Sequence, residues 1–296
     1  MAGPADTDLT PILIAGATAS GKSQLALELA KAHGGCVINA DSMQVYRELR
    51  ILTARPSDSD EAAVPHRLYG HISAREPYSV ARYVEDAAGA IAEARAQGLR
   101  PILTGGTGLY FKALLEGLSP IPAIEEKVRA YWRGQADVRG GAHLHAILAQ
   151  RDPVMASRLA PSDTQRVVRA LEVLEATGRS LAEWQEQPGN PVIDGAALKL
   201  LMSRPRPELH ARADARFDAM IAAGALEEAA ALGALALDPA LPAMRALGVA
   251  PLISAARGDV TIETAVAQAK AETRQYIKRQ ETWFRKHMIA WESVYT

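Results

Sequence analysis

Apolar and polar positions alternate in blocks along the first third of the chain. PILIAG (11–16), CVINAD (36–41) and PILTGG (101–106) are short, almost uninterrupted apolar runs. Between and after them, SQLALELAKAH (23–33), SVARYVEDAAGAIAEARAQ (79–97) and TGLYFKALLEG (107–117) carry helical patterns. The short runs predict strands covered on both faces, because a strand with one wet face would alternate apolar and polar residues. Strands alternating with helices of this length predict βαβ units on a parallel sheet flanked by helices, an α/β fold.

From Ser119 the pattern changes. SPIPAIEE is proline-rich, and helical patterns without a convincing strand continue to about Gly195. An inserted, mostly helical lobe is therefore expected over residues 118–196. ALKLLMS (197–203) returns to the strand pattern and the remaining chain reads as helical, so the core is expected to comprise residues 1–117 and 197–296. Within the lobe, Ser162-Asp163-Thr164-Gln165 has the spacing of a capping box, and the helix it starts, VVRALEVLEATG, stops at Gly178.

Composition adds mainly exclusions. Hydrophobic residues at 48% and charged residues at 23% are ordinary for a globular enzyme-sized protein. The opening MAGPADTD has no basic leader and no apolar run reaches the length of about 18 residues that a spanning helix needs, so a cytoplasmic protein without membrane contact is expected. The single cysteine, Cys36, cannot form an internal disulfide or a cysteine metal cluster. None of the histidines has zinc-site spacing. A net charge of −1 leaves any nucleic-acid binding to local patches. Two exist: 204–216, with four Arg against two acids, and 273–287, with five Lys/Arg against one Glu. Either alone is read more simply as a solvated helix face.

The candidate chemistry begins at Gly16-Ala17-Thr18-Ala19-Ser20-Gly21-Lys22-Ser23. It fits G-x-x-x-x-G-K-[ST] directly after an apolar strand and directly before an amphipathic helix. Its glycines let backbone N–H groups and the helix N-terminus converge on a diphosphate. Lys22 would neutralise the terminal phosphate, and the Ser23 hydroxyl would ligate Mg²⁺. ATPases, kinases and other transferases share such a cradle, so the motif does not name the reaction. Asp41, at the end of the second strand run, could be a base, a group near Mg²⁺, or a turn Asp. Gly105-Gly106-Thr107-Gly108 brings a hydroxyl to the same sheet edge, where Thr107 could equally be a helix cap. Gln165, Arg166 and Arg169 lie within one turn of the lobe helix and could grip RNA phosphates, although Arg169 could instead pair with Glu172.

In this order and spacing, GATASGKS, DSMQVYR, GGTGLYFKAL, DTQRVVRALEV and TRQYIKRQETWFR closely resemble the tRNA dimethylallyltransferases, from about Ile12 to His287. The resemblance implies a P-loop NTPase-like fold that holds dimethylallyl diphosphate with Mg²⁺. It implies prenylation of N6 of the adenosine at tRNA position 37, beside the anticodon. Asp41 would accept the N6 proton, Thr107 would contact the bridging oxygen, and Arg212 and Arg216 would join residues 16–23 on the donor phosphates. The tRNA would be bound by Asp41, Ser42, Met43, Gln44, Thr107, Arg129, Gln165, Arg166, Val167, Val168, Arg169, Arg245, Arg274 and Lys278, and a monomer is expected. Departures include Ala17 after the first loop glycine and the run Arg245-Ala246-Leu247-Gly248-Val249, where the family has Gly-Tyr. The alternative readings are an adenylate prenyltransferase or P-loop kinase acting on a free nucleotide, and a nonenzymatic nucleotide-dependent RNA-binding module. Asp41 and Thr107 together argue against the last.

Overall fold

The computed structural model describes residues 9–295; the opening MAGPADTD, on which the expectation of no leader rests, lies outside the described residues. The first part of the chain forms β1 (Ile12–Gly16), α1 (Lys22–His33), β2 (Gly35–Asn39), α2 (Asp58–Ala63), β3 (His66–Arg67), α3 (Val80–Ala96), β4 (Arg100–Gly105) and α4 (Gly108–Glu116). The helices α5 (Glu126–Arg139), α6 (Gly141–Arg151), α7 (Pro153–Ser157), α8 (Thr164–Thr177) and α9 (Leu181–Gln185) follow. The chain then forms β5 (Leu198–Ser203), α10 (Arg206–Ala222), α11 (Ala225–Ala234), a 3₁₀ turn (Pro242–Arg245), α12 (Val249–Ala256), α13 (Ile262–His287) and β6 (Glu292–Tyr295).

The sheet is parallel throughout, with strand order β3-β2-β4-β1-β5-β6. Its register sets Leu13 opposite Leu103 and Ile14 opposite Leu200. All five residues of β1 are buried, and the two-residue period sends them to different layers. Leu13 and Ala15 join Ile38, Tyr83, Leu103 and Phe111, whereas Ile12 and Ile14 join Ala26, Leu27 and Ile102. Helices cover both faces, which is why these strands read as continuous apolar runs. Cys36 is buried in β2.

The expected helical ending is corrected by β6, which pairs with β5 at the sheet edge. Its residues Glu-Ser-Val-Tyr are mostly exposed, so no buried pattern announced it.

Two compact units result, one formed by the chain up to Leu115 and from Val192, the other by Glu116–Pro191. The segment before β5 belongs with the sheet because the Val192 and Ile193 N–H groups both donate to the Leu114 carbonyl, at 2.9 and 3.0 Å. The second unit has its own core of Trp132, Leu144, Leu148, Val167, Leu171 and Leu181. Its helix α8 is capped by Asp163, whose carboxylate accepts the Arg166 N–H at 3.4 Å, rather than by Ser162 as the capping-box spacing suggested. Gly178 ends α8 in the left-handed region, at φ 66°.

Candidate active site

β1, β4 and β2 are parallel neighbours, so the loops after them emerge at one sheet edge. The loop after β1 is tightly wound. A Cβ at Gly16 would come within 2.6 Å of the Ser20 hydroxyl, so only glycine fits there. Gly21 has φ 96°, which glycine adopts without strain, and Ala19 sits in the left-handed region at φ 66°. Side chains strap this backbone from outside. Arg212 Nε donates to the Ala19 carbonyl at 3.1 Å, and Arg204 Nε to the Ser20 carbonyl at 3.2 Å. The buried Ser20 hydroxyl has no protein partner.

At the loop's inner side lies a cavity of about 210 Å³. Its polar lining includes Thr18, Lys22, Ser23, Asp41, Ser42, Arg216, Arg245, Tyr276 and Arg279, and its apolar lining includes Met43, Leu52, Phe217, Met220 and Leu247. Lys22 Nζ donates to the Ala17 carbonyl at 3.2 Å. Burial pushes the Lys22 ammonium down from 10.5 to about 8, with Asp41 opposing the shift and Arg216 adding to it. Burial also lowers the Arg216 guanidinium, again against the attraction of Asp41. Two desolvated cations that share the influence of one carboxylate leave a positive surplus, which favours a multiply charged anion.

Asp41 follows β2 in a turn tied by its own side chain. Its Oδ1 accepts the Met43 N–H at 2.9 Å, and Asn39 Oδ1 accepts the Asp41 N–H at 2.8 Å. Thr107 docks against the same turn: its N–H donates to the Ala40 carbonyl at 3.2 Å, and its hydroxyl oxygen accepts the Ser42 N–H at 3.0 Å. The glycines before it allow this approach, since a Cβ at Gly105 would overlap the Ala40 carbonyl. Asp41 and Thr107, 66 positions apart in number, are thereby brought together.

The remaining expected residues divide. Arg216 and Arg245 line the cavity, whereas Arg212 is exposed and holds the outside of the loop, so its contact is with the Ala19 carbonyl. Gln44 lines the cavity, but its amide donates to the Thr53 and Ala54 carbonyls at 2.8 and 3.0 Å. Arg274 makes two 2.9 Å bonds to Asp214, and Lys278 is exposed. In the second unit Gln165 and Arg166 are exposed, and Arg166 pairs with Asp163 at 3.3 Å. Arg169 pairs with Glu172 at 3.5 Å, as its simpler reading anticipated, and Arg129 Nε is buried without a protein partner. Val167 and Val168, at 0% and 7% exposed, turn their side chains into the interior of their unit, so any part they take at the RNA is through the backbone of α8.

Arg279, Tyr276 and Glu228 shape the site without any local sequence signal of that part. Arg279 and Tyr276 line the cavity from α13, with the guanidinium 5.6 Å from the Tyr276 ring centroid. Glu228, on α11, accepts the N–H groups of Arg50, Ile51 and Leu52, each at 2.8 Å, and so anchors the cavity wall formed by Leu52. An acidic residue on an Ala/Leu-rich helix gives no local sign of such a partner. Among the described residues no group of three or more His, Cys, Asp or Glu could hold a metal by itself.

A parallel sheet whose central strand feeds a glycine-lysine loop and a helix defines a P-loop NTPase-like α/β protein. The model of the IPP transferase family matches residues 44–287, and that of the isopentenyl transferases matches residues 10–74. The chain belongs to the IPP transferase family. It is 54% identical over 285 residues to the tRNA dimethylallyltransferase of Parvibaculum lavamentivorans, covering 96% of this chain and 90% of that protein. With the tRNA dimethylallyltransferase of Methylobacterium nodulans it shares 57% over 276 residues, 93% of this chain and 91% of that one. Among solved structures, the full-length tRNA isopentenylpyrophosphate transferase of Bacillus halodurans superposes with a TM-score of 0.69 at 31% identity, covering 97% of this chain and 90% of that chain. A eukaryotic dimethylallyltransferase acting on tRNA gives a TM-score of 0.81 at 27% identity, covering 97% and 74%.

Proposed function

We infer that this protein transfers the dimethylallyl group of dimethylallyl diphosphate to N6 of the adenosine at tRNA position 37, giving N6-isopentenyladenosine and diphosphate. The observation that carries this reading is the joining of two desolvated cations, Lys22 and Arg216, one carboxylate, Asp41, and an apolar wall in one cavity. A diphosphate suits the cations, and a prenyl group or a purine suits Leu52, Phe217, Met220 and Leu247.

An exocyclic adenine amine is a weak nucleophile, so the rate should come mainly from stabilising the leaving group. N6 forms a bond to the allylic carbon as the carbon–oxygen bond to diphosphate breaks and its electron pair leaves with the phosphate. Lys22, Arg216 and the loop amides balance the growing negative charge, and the Thr107 hydroxyl contacts the bridging oxygen. Asp41 accepts the proton that N6 loses. Its position in a side-chain-tied turn beside Thr107 supports that assignment.

The donor set also suits Mg²⁺. That ion keeps several waters and needs few protein oxygens beside substrate phosphates, and the Ser23 hydroxyl with the Asp41 carboxylate in the same cavity provides them. When bound, it would add charge stabilisation on the diphosphate. Ser23 is the ligand we assign.

An adenine stacked in an anticodon loop cannot enter such a cavity, so the base is flipped out of the loop to react. Arg245 and Lys278 on the sheet unit, with Arg129, Gln165, Arg166 and Arg169 on the helical unit, are the groups we assign to the surrounding RNA. The helical unit is an RNA-binding lobe in this reading. A monomer working on cytoplasmic tRNA completes this reading, and no described helix is long and apolar enough to cross a membrane. Incubation with radiolabelled dimethylallyl diphosphate and, separately, tRNA, AMP or ATP tests the proposal. Label should enter tRNA alone; label in AMP or ATP, or in none of them, refutes it.

A further inference from the structure

Helix α13 turns one face towards the sheet, with Ala269, Thr273, Ile277, Gln280 and Phe284 buried at intervals of three and four. Gln280 is the most polar of these positions, and it is only 5% exposed. A buried primary amide is costly unless its oxygen and nitrogen find partners, and a Leu or Met would fill the same volume without that demand. Its partners therefore indicate what the amide contributes.

Those partners lie on two different loops. Gln280 Oε1 accepts both the Thr18 N–H, at 2.9 Å, and the Thr18 hydroxyl, at 3.2 Å. Gln280 Nε2 donates to the Gly106 carbonyl at 3.0 Å. Arg204 and Arg212 also brace the phosphate loop, but each holds a single loop carbonyl and neither reaches the second loop through a bond of this kind. A Cβ on Gly106 would meet Gln280 Nε2 at 2.4 Å and Asp41 Oδ2 at 3.3 Å, so the amide and the carboxylate flank the same α-carbon.

We propose that Gln280 is a positioning residue for prenyl transfer, a crosslink that holds the phosphate loop at a fixed separation from the Gly106–Thr107 backbone. The proposal rests on the transfer reaction inferred above. That reaction requires two things to coincide at the leaving group: the loop that carries Lys22 and the hydroxyl of Thr107. The phosphate loop follows β1 and the Gly106–Thr107 backbone follows β4, so sheet pairing aligns the strands they leave, and Gln280 adds a bond to each segment beyond the sheet. One amide bonded to both segments ties them to each other directly. A misplacement of about 1 Å at reacting groups costs on the order of 100-fold in rate, so the crosslink acts on the chemical step.

The test uses the full-length protein with Gln280→Met and Gln280→Glu. Methionine keeps the bulk and loses every bond. Glutamate can still accept from Thr18, cannot donate to Gly106, and adds a second carboxylate beside Asp41. Single-turnover transfer at saturating dimethylallyl diphosphate and tRNA, donor affinity, tRNA affinity and a thermal melt are measured for each. Both variants should lose at least about tenfold in the saturating rate, with smaller changes in donor affinity and tRNA affinity unchanged. A purely architectural amide would lower the melting temperature while folded molecules kept the wild-type saturating rate. A rate within about twofold of wild type, or a loss confined to donor affinity, overturns the proposal. If the methionine variant fails to melt cooperatively, the isosteric glutamate variant decides alone. Wild-type transfer to tRNA in the same assay separates this inference from the reaction itself: without wild-type transfer the reaction is wrong, and with it only the role of Gln280 is in question.

Discussion

Replacing Glu228 by Ala tests whether the cavity wall is held from a distance. The carboxylate stands on α11, which is anchored by buried Ala225, Ala229 and Leu232, and it accepts three successive backbone N–H groups at 2.8 Å. A net hydrogen bond is worth roughly 0.5–1.5 kcal/mol, and more when one partner is charged. Residues 50 and 51 are only partly buried, so their amides recover some water bonding when the carboxylate is removed. Three bonds to a charged acceptor at about 1–1.5 kcal/mol each, less that recovery, give a loss of about 2–4 kcal/mol. For a unit of this size that corresponds to a melting temperature lowered by roughly 5–15 °C. Amide hydrogen exchange at Arg50, Ile51 and Leu52 should accelerate ahead of the sheet, because the loop opens locally first. Donor and tRNA binding at a temperature well below the melt should weaken, since Leu52 lines the cavity. Unchanged exchange at these three amides, together with a melt within about 1 °C of wild type, would refute the reasoning.

Other predictions concern the chemistry. Asp41→Asn preserves the acceptor for the Met43 N–H and removes the base, so turnover should fall by roughly 10²–10⁴ with tRNA affinity retained; near-normal single-turnover transfer would exclude Asp41 as the base. Lys22 loses its proton near pH 8 in the free protein. Below that value donor binding takes up no proton at Lys22; above it, binding must recharge the lysine, so donor affinity should weaken by up to about tenfold per pH unit. Lys22→Met should bind donor weakly without that slope, as titrations from neutral to alkaline pH would reveal. Neutralising Arg166 and Arg169 together to Gln should weaken tRNA binding and flatten its salt dependence; loss of the exposed Arg166 pair costs little, whereas the buried Glu172 carboxylate keeps Arg133 at 3.6 Å and loses Arg169, so the melt should fall measurably while the double variant stays folded. A wild-type salt slope in the double variant would remove the helical unit's arginines from the RNA contact.

The sequence by itself determined the elements whose causes are local. An uninterrupted apolar run marks a doubly covered strand, and G-x-x-x-x-G-K-S marks the turn that follows β1, because those residues answer to neighbours within a few positions. The placement of Asp41 and Thr107 at strand ends was legible for the same reason. Tertiary structure alone decided what those residues meet. Gln280 reaches Thr18 across 262 positions, and Glu228 reaches Arg50 across 178, so no periodicity could have paired them. The same holds within α8, where one motif supplies exposed Arg166 and buried Val167 and Val168, and only packing in the lobe core assigns the valines to the interior. β6 escaped notice because an exposed edge strand needs a partner's hydrogen bonds more than an apolar pattern, and β5 provides them. Local chemistry specified the groups available for catalysis, and long-range packing specified the distances between them.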